Sequence, residues 1–203
     1  MATKVKRKAK PVSPLVQPTG AMTGCLYCSL FPHCELSQKY EEVYNGKMDA
    51  VRAKALPEGH TVKSHAITEP WTHCEVLFLS DSPTSGDDTV GRPLGSKAGT
   101  VVRKTLNHVF DGKPPIVGMA CLVRCRTVRG AKPNPTHVVR CSPQLEREIK
   151  ARKPKVIVAN GNLSLKYLTG QSGITALNGV VLECTRPGLS HIPVIASVSP
   201  GQV

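Results

Sequence analysis

No apolar run in this chain approaches the ~20 residues that a membrane-spanning helix needs, so the sequence reads as that of a soluble protein. Its N-terminus is basic but lacks the apolar stretch of a secretory signal, and an intracellular, cytoplasmic setting is expected. No internal repeat is visible, which sets aside a solenoid built from stacked units. The seven histidines, at 33, 60, 65, 73, 108, 137 and 191, show no ligand spacing and are expected at the surface or in the core. Without a secretory signal, eight unevenly spaced cysteines point to thiols and metal ligands rather than to a disulfide framework. For Cys34, Cys74, Cys121 and Cys184 the expected role is that of a small buried hydrophobe.

Acidic residues are few where basic ones concentrate. The net charge is +13, and residues 101–155 hold thirteen Lys and Arg against three acids, whereas residues 11–100 hold seven against ten. Residues 1–10 add five more basic side chains and no acid. A field gathered in this way draws a polyanion, and nucleic acid is the commonest one. The 203 residues suffice for one well-packed domain. Residues 1–23, Lys-rich and then Pro- and Ser-bearing, are expected to form a disordered basic arm, leaving 24–203 as the domain.

A short apolar run at 75–79 has strand length and leads into SDSPTSGDDTVGRPLGSKAG, expected as a Gly-rich loop in which Asp87 and Asp88 lie on a solvated turn, with a metal pair as the alternative. Helix-compatible apolar spacing follows over 99–110, then a second buried strand at 116–123. Ser142-Pro143 is expected to open a helix reaching residue 152. A third strand at 156–159, a short helix over 163–168 and two further strands at 180–182 and 192–196 complete the pattern. Strand and helix alternating in this order predict an α/β protein, a three-layer sandwich around a mainly parallel central sheet.

The segment LVRCRTVRGAKPNPTHVVRC, residues 122–141, joins two of these themes. It holds Arg124, Arg126, Arg129, Lys132 and Arg140 without one acid, and Cys125 and Cys141 lie fifteen residues apart within it. Cys25 and Cys28 stand upstream as Cys-Leu-Tyr-Cys. Two close thiolates and two on a long loop suit a metal or iron-sulfur centre.

These landmarks, taken in order, resemble the iron-sulfur uracil-DNA glycosylases known as family 4. The resemblance runs from Cys25 to about Pro200. Cys25 and Cys28 match the family's opening cysteine pair, and Phe78 to Gly99 match its first motif, with Pro83, Gly91-Arg92-Pro93 and Ala98-Gly99 in place. Cys125-Arg126, Cys141, the turn PKVIVANG, and Gly173-Ile174-Thr175 with Gly179 follow in the family's order. The resemblance implies a uracil-DNA glycosylase-like fold in which Cys25, Cys28, Cys125 and Cys141 ligate a 4Fe-4S cluster of mainly structural role. Zinc is the physical alternative, because four thiolates satisfy it equally.

The same alignment of motifs places the family's functional positions on this chain. Its first-motif glutamate falls on Asp81, a shorter carboxylate able to orient water, although an Asp before Ser-Pro equally serves as a local cap. Its stacking phenylalanine falls on Leu94, its base-reading asparagine on Cys121 and its late histidine on Ser199. In an active enzyme of changed base preference, the backbone around Ser82 is expected to contact the base. Losing stacking, edge recognition and the histidine together removes most of the differential stabilisation of a transition state. The expectation is therefore a DNA-binding module that serves replication or repair with weak or no uracil excision, gripping DNA through Arg92, Lys97, Arg124, Arg126, Arg129 and Lys132. An active glycosylase of changed base preference is the second hypothesis, and an interaction subunit for an acidic protein partner the third. Glycosylase-like domains of this family also occur fused to or beside phage-type DNA polymerases. A DNA polymerase or another replication protein is thus an implied partner, and a host cytoplasm the implied setting for a phage-encoded chain.

Overall fold

The computed structural model describes residues 72–127 and 131–199. The basic arm and the Cys25-Cys28 pair lie outside the described residues, as does Arg129. Within them the chain runs β1 (Val76–Ser80), α1 (Ser85–Val90), α2 (Lys97–Val109), β2 (Val117–Cys121), α3 (Pro135–Arg152), β3 (Val156–Asn160), α4 (Asn162–Thr169), β4 (Val181–Glu183) and β5 (Pro193–Ser197). The strands form one five-stranded sheet in the order β2-β1-β3-β5-β4, parallel except for β4, which pairs antiparallel with β5.

Period-two alternation divides the strand residues between two layers. Leu77, Leu79, Ile157, Ala159, Val194 and Ala196 face a large core closed by Leu145 and Ile149 of α3 and by Leu165 and Leu168 of α4. Phe78 and Met119 face the opposite side, where Leu94 and Val102 of the α2 region complete a smaller core. Helices thus cover both faces, and the expected α/β sandwich with a mainly parallel sheet is what the chain forms. No helix among the described residues is long and apolar enough to cross a membrane.

Two elements depart from expectation. The stretch expected as an unbroken loop after β1 contains α1, and Asp87 and Asp88, expected on a solvated turn, are buried. Thr84 and Asp87 form a capping box: Asp87 N–H donates to Thr84 Oγ1 at 3.2 Å and Thr84 N–H to Asp87 Oδ2 at 3.0 Å. Asp87 Oδ1 also accepts from Ser96 N–H at 3.0 Å, so one carboxylate braces both ends of the connection to α2. Helix α3 starts seven residues before the expected Ser142, because Asn134-Pro135 supplies the cap and first-turn proline with His137 at the reciprocal position. Pro143 therefore lies inside the helix. Its missing N–H would have served Val139 C=O, and Ser142 Oγ donates to that carbonyl instead, at 3.4 Å.

Candidate functional site

In an open parallel sheet, ligands bind beyond the carboxyl ends of the strands, where the strand order reverses. Here β1 is flanked by β2 and β3, so successive connections leave in opposite directions. The connection after β1 carries α1 and α2 on the small-core side, and the one after β3 carries α4 on the large-core side. The crevice between them lies at Ser80-Asp81 and Asn160-Gly161, paired in register as Ser80↔Asn160.

Asp81 fills this crevice in a defined way. Its Oδ1 accepts from Ser164 N–H and Ser164 Oγ, both at 2.7 Å, and its Oδ2 from Leu163 N–H at 3.2 Å. Helix α4 has Gly161 at its N-cap, which offers no side-chain acceptor, so β1 supplies the cap from across the sheet. The packing demands glycine there: φ is +133°, and a Cβ would stand 2.6 Å from the Asp81 carboxylate atoms. Of the two roles expected for Asp81, the structure displays the cap. Asp81→Ala is accordingly expected to cost about 1–2 kcal/mol of stability, whereas Asp81→Asn keeps an acceptor oxygen and should lose less. Urea denaturation of both variants checks this, and equal stability of Asp81→Ala and the parent protein would refute it.

Leu94 owes its placement to its backbone. It lies in the left-handed region at φ +47°, uncommon for a branched side chain. Its carbonyl accepts from Arg103 Nη1 at 3.1 Å and packs so closely on Gly99 that any Cβ at 99 would collide with it. The Ala98-Gly99 of the motif is thus what lets α2 approach, and the side chain of Leu94 is buried with Phe78, Val102 and Met119.

Cys121 ends β2 beside Ser80, whose Oγ donates to Ala120 C=O at 3.3 Å and stands 3.3 Å from Cys121 Sγ. Burial pushes the Cys121 thiol up to about 12, so it stays protonated at neutral pH. Ser82 is half-buried beside Asp81, and Ser199 is half-buried just past β5 at the same sheet edge. The topology therefore gathers Asp81, Ser82, Cys121 and Ser199 at one end of the sheet, although they span over a hundred residues of sequence, while Leu94 packs on the face of the strands at Phe78 and Met119.

The basic residues divide. Arg92 and Lys97, in the connection after β1, and Lys132, in the connection after β2, are exposed. Arg126 is half-buried, with Nη1 3.7 Å from Asp88 Oδ2. Arg124 corrects the expectation of a DNA contact: it is 2% exposed and paired with Glu148, and a guanidinium enclosed in this way does not reach a phosphate. The pairing partner twenty-four residues away gave no sign in the sequence.

Cys125 is buried and Cys141, in the second turn of α3, is half-buried. Among the described residues no group of three or more His, Cys, Asp or Glu is disposed to hold a metal ion. Sequence reasoning passed over Asn160, which ends β3 in the same register row as Ser80 and Cys121. A polar residue closing an apolar strand was the signal available.

A family model described as the uracil DNA glycosylase superfamily matches residues 69–202. The type-4 uracil-DNA glycosylase of Sulfurisphaera tokodaii is 29% identical over 105 residues, which are 52% of this chain and 48% of that protein. The type-4 enzyme of Archaeoglobus fulgidus is 25% identical over 134 residues, 64% of this chain and 66% of that protein. A DNA polymerase of Bacillus phage SP01 is 25% identical over 108 residues, 53% of this chain but 12% of the polymerase. The chain thus spans about half the length of the Sulfurisphaera relative. With the family model covering more than half of its residues, and with a mainly parallel sheet whose switch point carries the motif positions, this chain belongs to the uracil DNA glycosylase superfamily.

Proposed function

We propose that this chain is a DNA-binding module on the glycosylase fold, acting in replication or repair with weak or no excision of uracil. The observation that carries the reading is the condition of Asp81. Its carboxylate accepts three hydrogen bonds from α4, and a carboxylate so occupied is poorly placed to draw a proton from water. The side chains aligned with the family's other functional positions point the same way. Leu94 has no π face to stack a base, the Cys121 thiol cannot pair as an amide does, and Ser199 offers no imidazolium to a departing anion. DNA as the ligand is supported by the family membership and by Arg92, Lys97, Arg126 and Lys132 on the connections around the sheet edge. The similarity to a phage DNA polymerase supports a replication protein as partner.

Cys25, Cys28, Cys125 and Cys141 would hold a 4Fe-4S cluster in this reading, with zinc as the alternative. The two described ligands suit such a group: Cys125, in the connection after β2, is shielded from solvent, and Cys141, in α3, partly so. The cluster's contribution would be structural, tethering that segment, and the chemistry at the crevice belongs to the side chains described.

Incubation with single- and double-stranded oligonucleotides containing deoxyuridine should give no more than a trace of abasic product, while binding to the same strands is retained. Robust excision that disappears in Asp81→Asn, with the fold intact, would establish the active-glycosylase alternative instead.

A further inference from the structure

Asn160 is 2% exposed, and neither its amide oxygen nor its amide nitrogen has a hydrogen-bond partner among the described residues. An unsatisfied buried amide costs stability, and an apolar side chain at this position would avoid that cost. The rest of β3, Val156 to Ala159, is wholly apolar, so the sheet itself has no use for a carboxamide at its last residue.

The position is informative. Register places Asn160 beside Ser80 on one side and Ser197 on the other, with Cys121 beyond Ser80. At a strand spacing of roughly 4.8 Å, Asn160 and Cys121 stand about 10 Å apart along one row. Counting back two residues from each reaches Val158 and Met119, which pack in the small core with Leu94. Asn160, Ser80 and Cys121 therefore share the face on which Leu94 lies, at the switch point of the sheet.

We propose that Asn160 is the specificity residue of this crevice, reading a nucleobase edge that presents an N–H beside a carbonyl oxygen, of which uracil is the simplest example. A carboxamide offers the complementary acceptor and donor side by side, which the Cys121 thiol does not. Recognition without hydrolysis is consistent with the same crevice, because Asp81 is committed to α4 whereas the Asn160 amide is not committed to any described group. This rests on the reading of the chain as a DNA-binding module and adds to it the base edge that is bound.

The test compares single-stranded oligonucleotides that differ at one central nucleotide: deoxyuridine, N3-methyldeoxyuridine or an abasic analogue. Fluorescence anisotropy should show the parent protein binding the deoxyuridine strand about tenfold or more tighter than the abasic strand. The N3-methyl strand, which lacks the donor, should bind like the abasic one. Asn160→Leu should keep a cooperative melt and bind all three strands at the abasic level. The proposal is overturned by an unchanged uracil preference in Asn160→Leu or by DNA binding that ignores the central base. This last result would leave the DNA-binding reading intact. Absence of all DNA binding would defeat that reading instead, and Asn160 would then be judged by its side-chain amide NMR signal during titration with free uracil. Movement of the signal upholds the proposal and a static signal overturns it.

Discussion

Glu148→Leu should remove about 3–5 kcal/mol of stability. Glu148 is fully buried between two guanidiniums, with Oε2 2.5 Å from Arg124 Nη2 and Oε1 2.8 Å from Arg152 Nε. Burial pushes its carboxyl up from the ordinary range while both arginines act to lower it. Removing the carboxylate takes the negative charge away from two buried guanidiniums that have only 2% and 1% of their surface in water. The site has little room to relax, since a Cβ at Gly118 would already collide with the Arg152 guanidinium and stand 2.9 Å from Cys74 Sγ. With typical domains holding about 5–15 kcal/mol in reserve, the variant should be marginal at 37 °C. Adding Arg124→Met and Arg152→Met should recover most of the loss, because an apolar cluster of similar volume needs no charge balance. Denaturant melts of the single and triple variants test this; a single-variant loss below about 1 kcal/mol, the range of exposed ion pairs, would show that the triad is solvated. The consequence reaches the basic segment, since Arg124 stands two residues before Arg126 and eight before Lys132.

Affinity for a DNA strand should fall about a hundredfold between 50 and 200 mM salt if Arg92, Lys97, Arg126 and Lys132 each neutralise one phosphate. Counterion release sets that slope, at roughly 0.7 to 0.9 per contact depending on strandedness. Lys132→Ala should reduce the slope by about one, as an exposed side chain in the connection after β2 can follow the backbone without disturbing the core. Arg124→Ala provides the contrast: it should lower stability and leave the slope unchanged. Anisotropy titrations at several salt concentrations decide the matter, and an affinity indifferent to salt would exclude phosphate binding by this surface.

Much of the frame was legible in the sequence because burial on both faces produces compact apolar runs. The strand expected at 75–79 is observed as Val76–Ser80, and that expected at 116–123 as Val117–Cys121. Helix α1 was not legible, since SGDDTV has no apolar stripe and is held by the Thr84–Asp87 box and by Ser96 N–H rather than by propensity. The early start of α3 was obscured by two Pro-bearing signals, at 135 and 143, of which only the first has a side chain that caps. A cap role for Asp81 was foreseen, but the helix it caps belongs to a connection some eighty residues downstream.

From its order of residues alone, this chain determined the alternation of strand and helix, the motif positions of its superfamily and the clustering of positive charge, because each of these is written in local spacing. Tertiary structure alone decided which polar groups are spent and which are left to act. Asp81 is taken up by α4 and Arg124 by Glu148, while the Asn160 amide stays uncommitted at the switch point. Those outcomes turn on hydrogen bonds and ion pairs between residues far apart in the chain, formed where burial makes an unmatched polar group costly, and no local pattern encodes them.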